Sequence, residues 1–555
     1  MAVARPARDR TGAPPGVELH QRHQAPAGGV HRGPPALIGT AARGGHPYPR
    51  RMASDLPRAA TGAAVALRSP QGRWVIVATI LGSGVAFLDG SVVNVALPAI
   101  GRDVGGDFSV LQWVLDAYLL TLSALLLLGG ALGDRYGRRV VFNIGLVVFT
   151  LASLACGLAP TGGALIAARL VQGIGGALLI PGSLALINAS IRREDRGRAV
   201  GTWAGLTGVS SAIGPFVGGW LVDAVSWRWV FYINVPLAAL ALLVTTRRVP
   251  ESRNPDMSGK PDIAGAAAVT AGLAGTVYAL IEVPVRGWNG VTAAAAVVGV
   301  ACLVTFPVIE SRKAEPLMPL SLFGSRQFAG ANLVTFTVYS ALSGALFLLS
   351  LQLQQTLGYD ALQAGIATLP ITIIMLLLSG RMGALAQRTG PRLPMTAGPL
   401  VCAAGLALMT LAVPGSTYPG GVLPGVGVFG LGLAITVAPL TSAVLGAVDE
   451  HHGGTASGVN NAVSRVAGLL AIAVLPLVAG LTHTGAGAPL GAGFGRAMLI
   501  SSALCALGGV LAWFTIDRAR RVENMPVPGL NHACQDPCTC AYRSGERRGS
   551  GPAVS

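Results

Sequence analysis

From about residue 74 to residue 515 the sequence alternates between long apolar runs and short polar stretches rich in arginine. A bilayer's hydrocarbon core is about 30 Å thick and takes about 20 apolar residues in a helix to cross. Runs of that length occur near 74–98, 110–132, 140–159, 163–189, 198–223 and 228–246. Two more lie near 263–282 and 291–310, and a last six near 328–352, 361–386, 395–413, 420–447, 458–481 and 494–515. The pattern therefore predicts an all-α integral membrane protein of fourteen spans, with both ends of the chain on one side.

Composition agrees. Of 555 residues, 52% are hydrophobic and 12% charged, against about 25% charged in a soluble domain. The 76 glycines suit helices that approach closely in lipid. A soluble enzyme, a fibrous repeat and a disordered chain are excluded for the chain as a whole.

Arginine and lysine in short loops mark the cytoplasmic side. One set of loops carries seventeen: Arg135, Arg138, Arg139, Arg192, Arg193, Arg196, Arg198, Arg247, Arg248, Arg253, Lys260, Arg312, Lys313, Arg326, Arg381, Arg388 and Arg392. The alternate loops hold four, Arg102, Arg228, Arg286 and Arg496. Both termini are thus expected in the cytoplasm, with the chain in the inner (plasma) membrane. The formal charge of +16 is no sign of a nucleic-acid partner, because much of it is a net +8 in the featureless stretch before Trp74.

The ends say little. Residues 1–73 read as a disordered extension or as the product of a start placed too far upstream, with Met52 the favoured true start. Residues 516–555 read as a cytoplasmic tail; its His532, Cys534, Cys538 and Cys540 lack the repeated Cys pairs of a zinc site. His451 and His452 read as loop surface. No metal and no cofactor are expected.

An internal repeat shapes the architecture. The loop after the second span reads GALGDRYGRR (Gly130–Arg139), and the loop after the tenth reads GALAQRTGPR (Gly383–Arg392). An offset of eight spans requires two six-helix halves, 74–246 and 328–515, with two inserted helices in 247–327. Duplicated halves around a midplane site are the build of secondary transporters. The second copy has Gln387 where the first has Asp134, so the acidic member of the loop is unique to the first half.

Several motifs resemble the major facilitator superfamily, in its fourteen-span drug:proton antiporter branch. The loop Gly130-x-Leu132-x-Asp134-Arg135-x-Gly137-Arg138-Arg139 is similar to that family's signature after span two. Leu88-Asp89-Gly-Ser91-Val-Val-Asn94-Val-Ala-Leu-Pro98 resembles its first-span motif, with Ser91 where Thr is usual. Arg169-x-x-Gln172-Gly173-x-Gly175 resembles the fourth-span motif. Gly214-Pro215-x-x-Gly218-Gly219 resembles the fifth-span antiporter motif, with Ser210 in a place that often holds Gly, and Ser226-Trp-Arg228-Trp-x-Phe-x-x-Asn234-x-Pro236 follows it. The resemblance implies a proton-coupled exporter of hydrophobic, often cationic drugs, working as a monomer by alternating access, with protons as the coupling ion and no enzymatic activity. A dedicated exporter of one endogenous metabolite and a non-transporting sensor or scaffold are the alternatives.

The residues themselves carry physical reasons. Asp89 stands inside span one, where a carboxylate is costly; it serves proton coupling or a static hydrogen bond. Arg169 either acts with that carboxylate or snorkels outward, and Gln172 shares its helix face. Gly130, Asp134, Arg135, Gly137, Arg138 and Arg139 form a candidate gate as well as a topology signal. Pro215 removes a backbone donor, and Gly214, Gly218 and Gly219 admit a close neighbour. Asp116 either meets a substrate or sits in an interfacial aromatic belt. Asn94, Gln172, Asn460 and Arg465 are further candidates for the substrate cavity, while Glu282 reads as solvated at the end of span seven.

Overall fold

The computed structural model describes residues 64–105, 107–253, 261–313, 316–449, 453–482 and 488–517. The amino-terminal extension as far as residue 63 with Met52, the histidines 451 and 452, and the His532–Cys540 group all lie outside the described residues.

Fourteen helices long and apolar enough to span a bilayer are present among the described residues. The first six are α1 (Pro70–Val104), α2 (Phe108–Tyr136), α3 (Arg138–Leu158), α4 (Gly162–Ser190), α5 (Arg193–Ala224) and α6 (Trp229–Arg248). Two follow, α7 (Ile263–Arg286) and α8 (Gly290–Ser311). The last six are α9 (Arg326–Thr356), α10 (Ala361–Thr389), α11 (Arg392–Leu411), α12 (Tyr418–Leu445), α13 (Gly453–Ala479) and α14 (Gly491–Thr515).

Several helices outrun the apolar runs that announce them. α1 has 35 residues, about 52 Å at 1.5 Å per residue, well beyond the hydrocarbon thickness. Apolar counting sees only the part in lipid, while backbone hydrogen bonding continues into the polar ends. α1 therefore begins at Pro70, inside the stretch assigned above to the extension, where the Ser69 side chain accepts from the amide of Gly72. Just upstream, the Val65 amide donates to the carbonyl of Ser190 at 2.8 Å, and the Arg192 amide to the carbonyl of Val65 at 3.0 Å.

The loop repeat is visible as a shared turn. Gly137 ends α2 at φ 115° and Gly390 ends α10 at φ 85°, left-handed values that favour glycine. α1 packs on α4, α5 and α6, and α4 on α2 and α3; in the other group α9 packs on α13 and α14, and α12 on α10 and α11. Across the middle, α5 meets α10, α2 meets α13, and α1 meets α9.

The inserted pair lies outside this ring. α7 packs against α2 and α13, and α8 packs chiefly on α7. Val297, Val300 and Val304 of α8 are more than half exposed, as a lipid-facing helix requires. Its foot is pinned where Asp262 accepts from the Gly265 amide at 2.8 Å and pairs with Lys313 at 3.2 Å. Burial pushes the Asp262 carboxyl up, but the Gly265 amide, Lys313 and the neighbouring Glu310 carboxyl together more than offset it and leave it below the usual carboxylate range.

Where α5 and α10 meet decides how the bundle is open. A Cβ on Gly219 would press on the backbone of Ala361 and Leu362, and one on Gly365 on the backbone of Pro215. The Asp223 carboxylate accepts from the Leu362 amide at 2.7 Å, capping the start of α10. All of these lie towards the arginine-poor loops. Towards the arginine-rich loops the helices part: a Cβ on Gly201, Gly205 or Gly208 of α5, or on Gly380 of α10, meets nothing within 4 Å. The bundle is sealed at its arginine-poor end and open between α5 and α10 at the other.

Candidate functional site

Four polar side chains from three helices converge where an apolar core is expected. Asp89 (α1), Arg169 and Gln172 (α4) and Asn234 (α6) are all fully buried. Arg169 and Gln172 are three apart and so project together. Arg169 Nη1 donates to Asp89 Oδ2 at 2.5 Å and to Gln172 Oε1 at 2.7 Å. Gln172 Nε2 donates to Asp89 Oδ1 at 2.8 Å, and Asn234 Nδ2 to the same oxygen at 2.9 Å. The buried Ser153 hydroxyl of α3 accepts from Gln172 at 2.8 Å.

The arginine is held from every side. Its Nε donates to the Val114 carbonyl at 2.9 Å, and its guanidinium lies 4.4 Å from the Tyr118 ring centre. Outward snorkelling of Arg169 is thus ruled out for this conformation. A charge pair this deep tolerates desolvation only when its remaining donors and acceptors are satisfied, and here Asp89 accepts three hydrogen bonds. Neutralising Asp89 with a proton would remove the reason for that clamp.

The network abuts the seal. Two and three residues beyond Asp89, Ser91 and Val92 fill the space a Cβ would need at Gly214 and Gly218 of α5. Pro215 lies between these glycines and leaves its carbonyl against Gly365. Ser210 faces Gly84 of α1. Nearby, the Ser350 hydroxyl of α9 donates to the Asn94 carbonyl at 2.9 Å and Gln354 Nε2 to the Val95 carbonyl at 3.0 Å. These contacts close one end of the space between the two groups of helices.

At the arginine-rich end, Asp134 pairs with Arg138 of its own loop at 2.7 Å. Arg135 stacks over Tyr136. The amides of Arg139 and Val140, at the exposed start of α3, donate to the two carboxylate oxygens of Glu251 at 3.0 and 3.1 Å. A Cβ on Gly137 would strike that same carboxylate, and one on Gly130 would rest on Pro181 at 3.5 Å.

The remaining candidates scatter. Asp116 is completely buried, and among the described residues neither carboxylate oxygen has a hydrogen-bond partner. Asn460 ties α13 to α9 through Asn332 and Thr335 at 3.1 and 2.7 Å. Arg465 is half-buried with its Nε unsatisfied. Glu282 is buried rather than solvated, because Trp113 of α2 donates to it at 2.8 Å and Arg286 pairs with it at 2.5 Å. Sequence reasoning gave no role to Asn234, Ser153 or Glu251. A polar Asn within an apolar run was a usable signal for the first; a lone Ser and a loop Glu carried none.

Comparison with known proteins bears on the whole chain. The sequence model of the Major Facilitator Superfamily matches residues 79–472. The chain is 35% identical over 468 residues to the "Puromycin resistance protein pur8" of Streptomyces alboniger, covering 81% of this chain and 92% of that protein. It is 36% identical over 405 residues to the "Multidrug resistance protein Stp" of Mycobacterium tuberculosis (strain CDC 1551 / Oshkosh), covering 72% and 74%. Among solved structures, a POT family transporter in complex with 5-aminolevulinic acid superposes at a TM-score of 0.61 with 14% identity, over 80% of this chain and 97% of that one.

Proposed function

Because this chain belongs to the Major Facilitator Superfamily, we propose that the buried Asp89–Arg169 pair is the proton-coupling centre of a drug exporter. The expected cargo is a hydrophobic drug or antibiotic, in line with the resistance proteins it is similar to. One observation carries the reading: a carboxylate clamped by three donors lies within one helical turn of the packed α1–α5 surface.

The arginine-rich loops face the cytoplasm, so the conformation described is open inward. Substrate enters between α5 and α10 while Asp89 is ionised and held by Arg169. After the seal opens outward, a proton reaching Asp89 neutralises it, loosens its hold on Arg169, and accompanies the return. Each charge that moves through the field yields about 2.3 kcal/mol per 100 mV, enough for one or two protons to drive a large gradient. Asp134, paired with Arg138 here, is the gate's mobile charge and changes partner when the inward opening closes.

The test is dye accumulation in proteoliposomes with an imposed pH gradient, using ethidium and fluorescein, two aromatic dyes of opposite charge. Wild-type protein accumulates at least one of them, a protonophore abolishes this, and Asp89→Asn, shown folded by size exclusion, does not respond to the gradient. Folded wild-type protein that moves neither dye overturns the exporter reading. Gradient-driven transport by the variant moves the coupling site elsewhere.

A further inference from the structure

Arg465 sits midway along α13 and differs from Arg169 in having no counter-charge. Among the described residues it makes no ion pair and no hydrogen bond, and its buried Nε lacks an acceptor. A charge at membrane depth is costly and is ordinarily paired or turned to a water-filled cavity. Its guanidinium instead lies 5.1 Å from the Phe87 ring centre on α1.

The helix surfaces around it are half-buried rather than fully packed. Positions 460–466 of α13 are half-buried, whereas 467–469 immediately beyond are fully buried. On α1, Phe87, Gly90, Ser91 and Asn94 form a half-buried stripe at helical spacing, with buried residues between them. A Cβ on Gly90 would meet nothing within 4 Å. The acidic group of the adjacent network, Asp89, is already held by Arg169, Gln172 and Asn234.

From this we propose that Arg465 is an anion subsite for transported compounds, taking the carboxylate or phenolate of an aromatic molecule whose ring lies against Phe87. A planar guanidinium matches a carboxylate with two parallel hydrogen bonds, and unlike lysine it also stacks on rings. The subsite deepens the exporter reading and rests on it. Within the class of hydrophobic drugs it favours those carrying a negative charge. The substrate itself supplies the missing counter-charge, so loading neutralises Arg465 as it fills the space.

Binding isolates the proposal from transport. Full-length protein in nanodiscs of zwitterionic lipid is titrated into fluorescein, anionic at pH 8, and into ethidium, with fluorescence anisotropy as the readout. For wild-type protein the preference for fluorescein over ethidium is measured as a ratio of Kd values. Arg465→Gln lowers that ratio about tenfold or more, the scale expected for losing a hydrogen bond to a charged group. Arg465→Lys keeps a substantial part of it, and Arg496→Gln, in the first turns of α14, leaves it as in wild type. Fluorescein bound equally by wild type and Arg465→Gln overturns the proposal. So does equal weakening of both dyes in Arg465→Gln and Arg465→Lys alike, which would make the residue a packing element over Phe87, and so does a wild type that binds ethidium but no fluorescein. Arg465-dependent fluorescein binding without dye accumulation in the proteoliposome assay strikes the exporter reading and leaves the subsite standing. Dye transport with unchanged binding in Arg465→Gln does the reverse.

Discussion

A single methyl group at Gly365 tests whether the contact between α5 and α10 is a two-state seal. In the closed arrangement an added Cβ would stand 2.7 Å from the Pro215 carbonyl carbon and 3.2 Å from the Phe216 amide nitrogen. Both are helix backbone and cannot swing aside. Overpacking of this kind costs about 1–3 kcal/mol. Replacing Gly by Ala inside a helix gains up to about 1 kcal/mol, but that gain is common to both states and cancels in their ratio. Gly365→Ala should therefore favour the state with the seal open by about 5- to 150-fold. The assay places a reporter thiol through Asn94→Cys, in a background with the seven native cysteines replaced, and follows its modification by an impermeant reagent added from the arginine-poor side. Gly380→Ala is the matched control, since the same methyl on the same helix meets nothing within 4 Å. The reasoning fails if the rate is unchanged in folded Gly365→Ala, or if both alanine variants raise it equally.

Other consequences follow from the same contacts. Asp89→Asn leaves three donors facing a single acceptor and a buried guanidinium without its charge; it should destabilise the folded protein by about 3–5 kcal/mol, and adding Arg169→Gln should recover part of this in detergent unfolding curves. Asn234→Ala removes one of the three donors to Asp89 and should cost about 1.5–3 kcal/mol, with gradient-driven dye transport slowed and binding retained. Glu251→Gln removes the anion that caps the exposed start of α3 and should cost about 0.3–1 kcal/mol at low salt, an effect that shrinks as salt is added.

The spans and the repeated turn were legible because each rests on a local signal. Twenty apolar residues in a row admit one physical outcome in lipid, and a glycine that ends a helix in left-handed conformation can be read twice at matching positions, Gly137 and Gly390. The convergence of α1, α4 and α6 was not legible in that way. Spacing shows that Arg169 and Gln172 share a face, but no periodicity says that this face meets Asp89 or that Asn234 completes the set. Family motifs named all four of these residues; only packing shows them bonded to one another. Glu282 shows the opposite failure. Its place at the end of a span argued for water, yet the donor that buries it, Trp113, comes from a helix about 170 positions away in sequence. Helix ends outran the apolar runs because hydrogen bonding, unlike hydropathy, does not stop at the membrane surface.

Geometry also ties the proton to the seal, and linkage turns that tie into a test. Asp89 and Val92 lie three residues apart on one face of α1, about 4.5 Å along the axis, and Val92 packs on Gly218 while Asp89 bonds α4 and α6. A shift of α1 that frees Asp89 would therefore also move Ser91 and Val92 against α5. If a proton on Asp89 favours the open seal, then a mutation that opens the seal must favour the proton by the same factor, because coupling between two equilibria is reciprocal. In the Asn94→Cys background, Gly365→Ala should then move the curve of thiol labelling against pH to higher pH. Asp89→Asn should flatten that curve, with or without the alanine. A curve that stays in place while the labelling rate rises would mean that the seal and Asp89 move independently, and the coupling would have to run through another carboxylate, of which the buried and unpartnered Asp116 is the first to replace.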